Sequence, residues 1–373
     1  MRAARATPAL CDSNLRATPY VPRPVVPDTT LRALLVQMDP ESLRIPIHNI
    51  IRAAHRRKAL EPSVLPFGML VMDGKVNCLS ACDDHYAQRQ KREDGLVRGL
   101  LRTVTCVLAS APGAPCIDAV PIHASTNEAG TMVSALKSVL KAYDKLDLFQ
   151  VVSYDAGGCS LANANELHDE LHKDYLFGLK GSQPTLFDEA KAILSGVASD
   201  KALAATVDKV GGGTVTRSLF LSEDIAGFHE WTHLRTVVRV RSEKRDHEGK
   251  TLSTEDRYFI TSLAMTRLSH AQWLWMIRRH WAVENDCHWT LDAIFEEDDR
   301  PWIKSDVKGA LAALLLRRLA YTLVTLFRAV TQRSEERRAM PWKKLLEEIA
   351  DALKCASNAM LAPMRERAAA ALA

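Results

Sequence analysis

The chain has 373 residues, 47% of them hydrophobic and 25% charged, with a formal net charge of +4. That length allows one large domain or two ordinary ones with an ample core, and the composition excludes a fibrous or low-complexity chain. So mild a charge permits a nucleic-acid partner without demanding one. The eight cysteines form no C-x-x-C and indicate neither a zinc knuckle nor a disulfide framework.

Taken in chain order, residues 1–28 read as a disordered arm, with prolines at 19, 22, 24 and 27. The arm carries Arg but no apolar h-region, so it does not read as a secretory signal. Residues 29–65 hold two short helical stretches, "TTLRALLVQM" and "SLRIPIHNIIRAAHRR", the second weakened by Pro46. "FGMLVMDGK" reads as a buried strand delivering Asp73 at its end, with Gly74 as punctuation. A charged loop, "CDDHYAQRQKREDG", leads to two antiparallel strands, "LLRTVTCVLAS" and "CIDAVPIH". "STNEAGTMVSALKSVLKAYDKL" is an amphipathic helix with Thr126 or Asn127 as cap. "DLFQVVSYDAGG" is a second strand ending in an acid, Asp155. It is followed by a helix, the strand "YLFGLKG" and a helix opening at Pro184.

Residues of about 200–265 are β-rich, with a polar tip at "KRDHEGK". The alternation Val238, Arg239, Val240, Arg241 predicts one apolar and one basic face. All seven tryptophans lie after residue 230. A helix then carries Leu274, Ile277, Trp281, Glu284, His288, Leu291 and Phe295 at steps of three and four, which puts Glu284 in an apolar stripe. An apolar helix, "GALAALLLRRLAYTLVTLFRAV", and a tail from 331 to 373 complete the chain. No unbroken apolar run reaches the length of a membrane span.

Two strand-end aspartates and a helix glutamate suggest one chemistry. Asp73, Asp155 and Glu284 can hold two divalent ions roughly 3.5–4 Å apart for displacement at phosphorus, and hard carboxylate oxygens suit Mg²⁺. Each acid alone reads more simply, as a turn residue or a salt-bridge partner; the order of elements favours the joint reading. A rival zinc site, His280, Glu284 and His288, ranks below satisfied core histidines, because its histidines stand eight apart. Trp281 and Trp289 can stack on bases, although aromatics beside an apolar stripe more often pack.

"RHWAVENDCHWTLDAIFEEDDR" resembles the H-W-x-I-E-N-x-x-H-W-x-L-D-V-x-F-x-E-D signature of bacterial ISAs1-type insertion-sequence transposases, the H-repeat-associated, IS4-like DDE proteins. "VMDGK", "SYDAGGC" and "YLFGLKGSQPTL" resemble further blocks of that family, and the likeness covers about residues 28–330. It implies an α/β, RNase H-like mixed sheet flanked by helices over residues 66–330, with a β-rich insertion before the last catalytic helix. Asp73, Asp155 and Glu284 fall on its acidic positions as catalytic residues and metal ligands for Mg²⁺, with Mn²⁺ as substitute. Lys180, Arg217 and Arg278 match basic positions expected to contact DNA, while Asn285 and His288 are expected to orient the helix and its carboxylate.

The implied reaction is cleavage at transposon ends followed by strand transfer to target DNA. The implied partners are terminal inverted repeats, target DNA and a second copy in a synaptic dimer, in the bacterial cytoplasm and at the nucleoid, with no membrane. The sequence departs from the pattern in a shortened N-terminal helical region and in "GGGTVTR", which keeps Arg217 but lacks the family's His and Glu. A relic that binds DNA without transposing is the alternative.

Overall fold

The structure is a computed structural model that describes residues 26–82, 85–355 and 358–372; residues 1–25 of the expected arm lie outside them. Helix α1 (Asp28–Gln37) leads to α2 (Pro40–Arg56), which begins at an Asp39 cap accepting the amides of Glu41 and Ser42. Pro46 does not end α2. Leu43, Ile47 and Ile51 are buried along one face, and this tertiary packing outweighs one missing backbone donor.

Among the described residues, ten strands form a single mixed sheet: β1 (Met69–Leu79), β2 (Ala87–Lys91), β3 (Val97–Leu108), β4 (Cys116–Pro121), β5 (Val151–Tyr154), β6 (Asp174–Leu179), β7 (Ala204–Val210), β8 (Gly213–Ser222), β9 (Thr236–Arg245) and β10 (Thr251–Thr261). The main path is β2-β3-β1-β5-β6-β10-β9-β8-β7, and β4 pairs with β3. Within it, β4-β3-β1-β5-β6 is the RNase H-like core. Its three sequential antiparallel strands are followed by β5 and β6, parallel to β1 and to each other. The β-rich segment joins the same sheet through β10 on β6.

Two expectations change here. Gly74 does not end β1, which runs on to Leu79 against β3; Asp73 instead stands where the parallel pairing with β5 stops, after Met72 opposite Tyr154. The charged stretch taken as a loop contains β2, whose exposed polar and basic side chains suit an edge strand beside β3.

Helix α3 (Glu128–Ala142) follows β4, capped by Asn127, whose side chain accepts the Gly130 amide. After β5, α4 (Leu161–Asn165) widens into a π turn, Glu166–Glu170, and α5 (Pro184–Leu194) follows β6. Beyond the β segment come α6 (His270–Arg279), a π turn at Val283–His288 and α7 (Trp289–Ala293). The chain continues through α8 (Val307–Leu326), α9 (Glu335–Arg338), α10 (Trp342–Cys355) and α11 (Asn358–Leu372). By length and composition Val307–Thr331 could cross a bilayer. In this fold it is a core helix, and it buries Arg318 in an ion pair with Glu297 at 2.7 Å.

The central strands are buried on both faces, which explains their unbroken apolar runs. Leu70, Met72, Val152 and Tyr154 pack into one core, while Met69, Val71 and Val151 pack into a second with Leu274, Ile277, Cys287 and Leu291. Strand alternation therefore turns Asp73 and Asp155 toward the face that carries the Glu284 helix.

The predicted basic face of β9 is absent. Arg239 is fully buried, stacks on Phe220 and donates to the carbonyls of Leu194, Ser195 and Val197 at the end of α5, while Arg241 pairs with Asp256. These carbonyls lie at and just past the end of α5, where no further turn of helix supplies amide donors, so a guanidinium satisfies them without a carboxylate.

Candidate active site

One further step of the β1–β5 register sets Asp73 beside Asp155, on strands about 4.8 Å apart. Asp73 is mostly buried, whereas Asp155 at the sheet edge is half-exposed. Glu284 lies on the π turn over the same face. It is exposed, which corrects its expected place in a buried stripe: the extra residue of the π turn breaks the three-four spacing and carries the side chain outward. Around it Leu274, Ile277, Leu291 and His288 are buried as expected.

The electrostatics show how the acids meet. Burial pushes the Asp73 carboxyl up to about 7, and the neighbouring charges of Glu128, Glu284 and Asp155 add to the rise against the Gly74 amide. Glu128, at the first turn of α3, is a fourth carboxylate that the sequence reading did not single out. Its Oε1 accepts the Gly74 N–H at 2.9 Å, and a Cβ on Gly74 would meet its Oε2 at 1.9 Å. Gly74 thus leaves room for the Glu128 carboxylate to approach the strand rather than terminating it. The only signal in the sequence was an acid directly after the Asn127 cap, a common helix-start pattern.

Two histidines pin the π turn. His280 shares a hydrogen bond of 2.7 Å with Ser153 Oγ, two residues before Asp155. His288 Nδ1 lies 3.5 Å from Asp73 Oδ2. Burial lowers His280 to about 4 and His288 to about 3, so both rings are neutral near pH 7 and the His288–Asp73 contact is not an ion pair. The His280, Glu284, His288 spacing is a positioning pattern: a neutral histidine on either side of the acid anchors the turn to the strand that carries or precedes each aspartate.

A second link joins the same elements. Lys75 is buried, with Nζ 2.7 and 2.8 Å from the two oxygens of Asp292 and 3.5 Å from Asp298; Asn77 Nδ2 donates to Asp298 at 2.7 Å. Asp292, Glu297 and Asp298 approach closely enough to hold a cation, but Lys75 and Arg318 already lie against them. The Lys of "DGK" and the acids of "LDAIFEEDD" are one ion-pair network tying β1 to α7.

Of the expected basic residues, Lys180 follows β6 with Nζ 3.7 Å from Asp155, both groups well exposed. Arg217 on β8 and Arg278 on α6 meet at one carboxylate, Asp208 on β7, at 2.5 and 2.9 Å. Two arginines on one acid leave a net positive charge beside the Glu284 helix. Asn285 lies away from the carboxylates, in a cleft of about 430 Å³ with Trp275, Arg279, Trp289 and Trp342. Trp281 packs on Phe259 beneath the Arg257 guanidinium, whereas Trp289 is 55% exposed at the cleft.

No family model matches this sequence. Among curated proteins it is similar to "Putative transposase YncI" of Escherichia coli O157:H7, with 26% identity over 48% of this chain and 49% of the relative. It is also similar to "H repeat-associated putative transposase YhhI" of Escherichia coli K12, with 26% identity over 58% of each. By sequence the chain is similar to proteins named as transposases. The matched part of this chain spans about half to three-fifths of those relatives' length. A solved piggyBac transposase synaptic complex with hairpin DNA aligns over 77% of this chain and 52% of that one, at 11% identity and a TM-score of 0.39.

The residues present fit a divalent-cation site. A carboxyl held near pH 7 by burial and three neighbouring acids is a concentration of negative charge that a cation relieves. Asp73, Asp155 and Glu284 do not bring their oxygens within 4.8 Å of one another as the described His-Asp-His and Asp-Glu-Asp clusters do.

Proposed function

We propose that this chain is a metal-dependent DNA strand-transferase of the DDE type, acting in the cytoplasm on transposon-end and target DNA with a second copy in the synaptic complex. The observation that carries the reading is the raised Asp73 carboxyl, which senses Asp155, Glu284 and Glu128 at once on one face of an RNase H-like sheet. Asp73, Asp155 and Glu284 would hold Mg²⁺ or Mn²⁺, with Asp73 in the central, most buried position. When bound, the metal supplies Lewis-acid activation of the attacking oxygen and charge stabilisation at phosphorus.

The chain's own residues would do the rest. The Lys75–Asp292 network and the two histidine anchors hold Glu284 over the strands, so that the acids need little rearrangement. Lys180 would exchange its loose contact with Asp155 for a phosphate. Arg217 and Arg278, with one carboxylate between them, would take another. Trp289 offers an exposed face for base stacking beside the turn.

The decisive experiment is cleavage of end-containing DNA in Mg²⁺ or Mn²⁺ by the parent chain and by Glu284→Gln and Asp155→Asn. Metal-dependent products from the parent and none from either variant are expected. A variant that cuts as well as the parent removes its residue from the site. If the parent binds DNA with steep salt dependence but yields no products with either metal, it is a DNA-binding relic.

A further inference from the structure

Away from the acidic site, His168, Asp169 and His233 come together from two parts of the chain. His168 and Asp169 lie on the π turn that extends α4, and His233 lies in the connection from β8 to β9. Asp169 Oδ1 is 2.7 Å from His233 Nε2 and 3.3 Å from His168 Nδ1. The imidazole rings stack with centroids 3.8 Å apart and planes inclined by 16°. One ligand atom from each residue falls within 4.8 Å of the other two.

We infer that His168, Asp169 and His233 form a second metal site, selective for a borderline divalent ion such as Zn²⁺ and serving as a staple between the RNase H-like core and the β7–β10 extension.

The donor set argues for the ion. Two imidazoles and one carboxylate suit zinc and its neighbours, whereas all-oxygen shells suit magnesium. Ligands about 2.0–2.2 Å from a tetrahedral zinc stand roughly 3.4 Å apart, close to the spacings already present, so a small splay of the rings makes room. Stacked imidazoles that share one carboxylate oxygen repel if both are charged. A central dication replaces that conflict with three favourable contacts.

The scaffold is built to hold the ligands. Each histidine adjoins a fully buried leucine, Leu167 and Leu234, and Ile225 and Trp231 bury the connection that carries His233. The π turn is the local device. Its widened turn presents consecutive residues His168 and Asp169 to the same partner. All three side chains remain partly open to solvent, with exposures of 40%, 48% and 25%, which leaves a fourth position for water.

The test is titration of the full chain with Zn²⁺ in excess Mg²⁺, which occupies the acidic site. One Zn²⁺ equivalent is expected, and it must persist in Asp73→Asn. His168→Gln and His233→Gln should each weaken it by at least about tenfold, a loss typical even for an outer partner of a metal ligand. X-ray absorption at the zinc edge of the unsubstituted chain should show two imidazole nitrogens, a measurement that does not depend on the variants folding. The inference is overturned if the parent binds no zinc, if the absorption shows only oxygen neighbours, or if folded His168→Gln and His233→Gln bind it as the parent does.

Discussion

Asp73→Asn should stabilise the metal-free protein while abolishing cleavage. The carboxyl moves from 3.8 to about 7 on folding because it is desolvated and surrounded by Glu128, Glu284 and Asp155, so its ionised form costs about 4 kcal/mol in the native state. The sign follows from proton binding. Between pH 3.8 and 7 the native state holds a proton that the unfolded chain has released, so this group's contribution falls as pH rises. The cost accumulates at about 1.4 kcal/mol per pH unit and is complete above pH 7. Asparagine of the same shape carries no such cost. In urea denaturation with EDTA, the variant should exceed the parent by about 4 kcal/mol at pH 8 and only about 1 kcal/mol at pH 4.5. High salt should trim the gap, since part of it is repulsion between carboxylates. Mg²⁺ should raise the parent's stability more than the variant's. A gap that is absent at pH 8, or unchanged at pH 4.5, would refute the crowding of acids around Asp73.

Other outcomes follow from the same geometry. Glu297→Gln strands the fully buried Arg318 and should cost about 3–5 kcal/mol in denaturation, whereas a small effect would mean water reaches that pair. Arg239→Met takes the guanidinium from the carbonyls of Ser195 and Val197 and one of two donors from that of Leu194, and should cost about 3 kcal/mol or more, measured the same way. His280→Phe keeps an aromatic ring, somewhat larger than imidazole, but removes the bond to Ser153. Cleavage should slow about tenfold to a hundredfold with DNA affinity held, and an unchanged rate would detach that bond from the placement of Glu284. Trp289→Ala should weaken single-stranded DNA binding by about 1–3 kcal/mol without lowering stability, and equal affinity by anisotropy would exclude stacking at the cleft.

By itself the sequence determined most of the order of strands and helices, the acids worth testing, the Asn127 cap of α3 and the Pro184 that opens α5, because these rest on local periodicity, turn chemistry and short recognisable blocks. It misplaced Gly74 as a terminator, β2 as a loop and Arg239 on a solvent face; for Gly74 and Arg239 the deciding partner lies far along the chain, whereas β2 is an edge strand of exposed polar residues with no apolar signal. Glu128 explains Gly74, β3 pairs β2, and the α5 carbonyls take up Arg239. Only the tertiary structure decided that Glu284 is exposed on a π turn, that His280 and His288 anchor that turn, and that Glu128 crowds Asp73. The histidine anchors and the Glu128 contact are interactions across many tens of residues, about which a periodic reading of neighbours carries no information, and the π turn departs from the helical period that such a reading assumes.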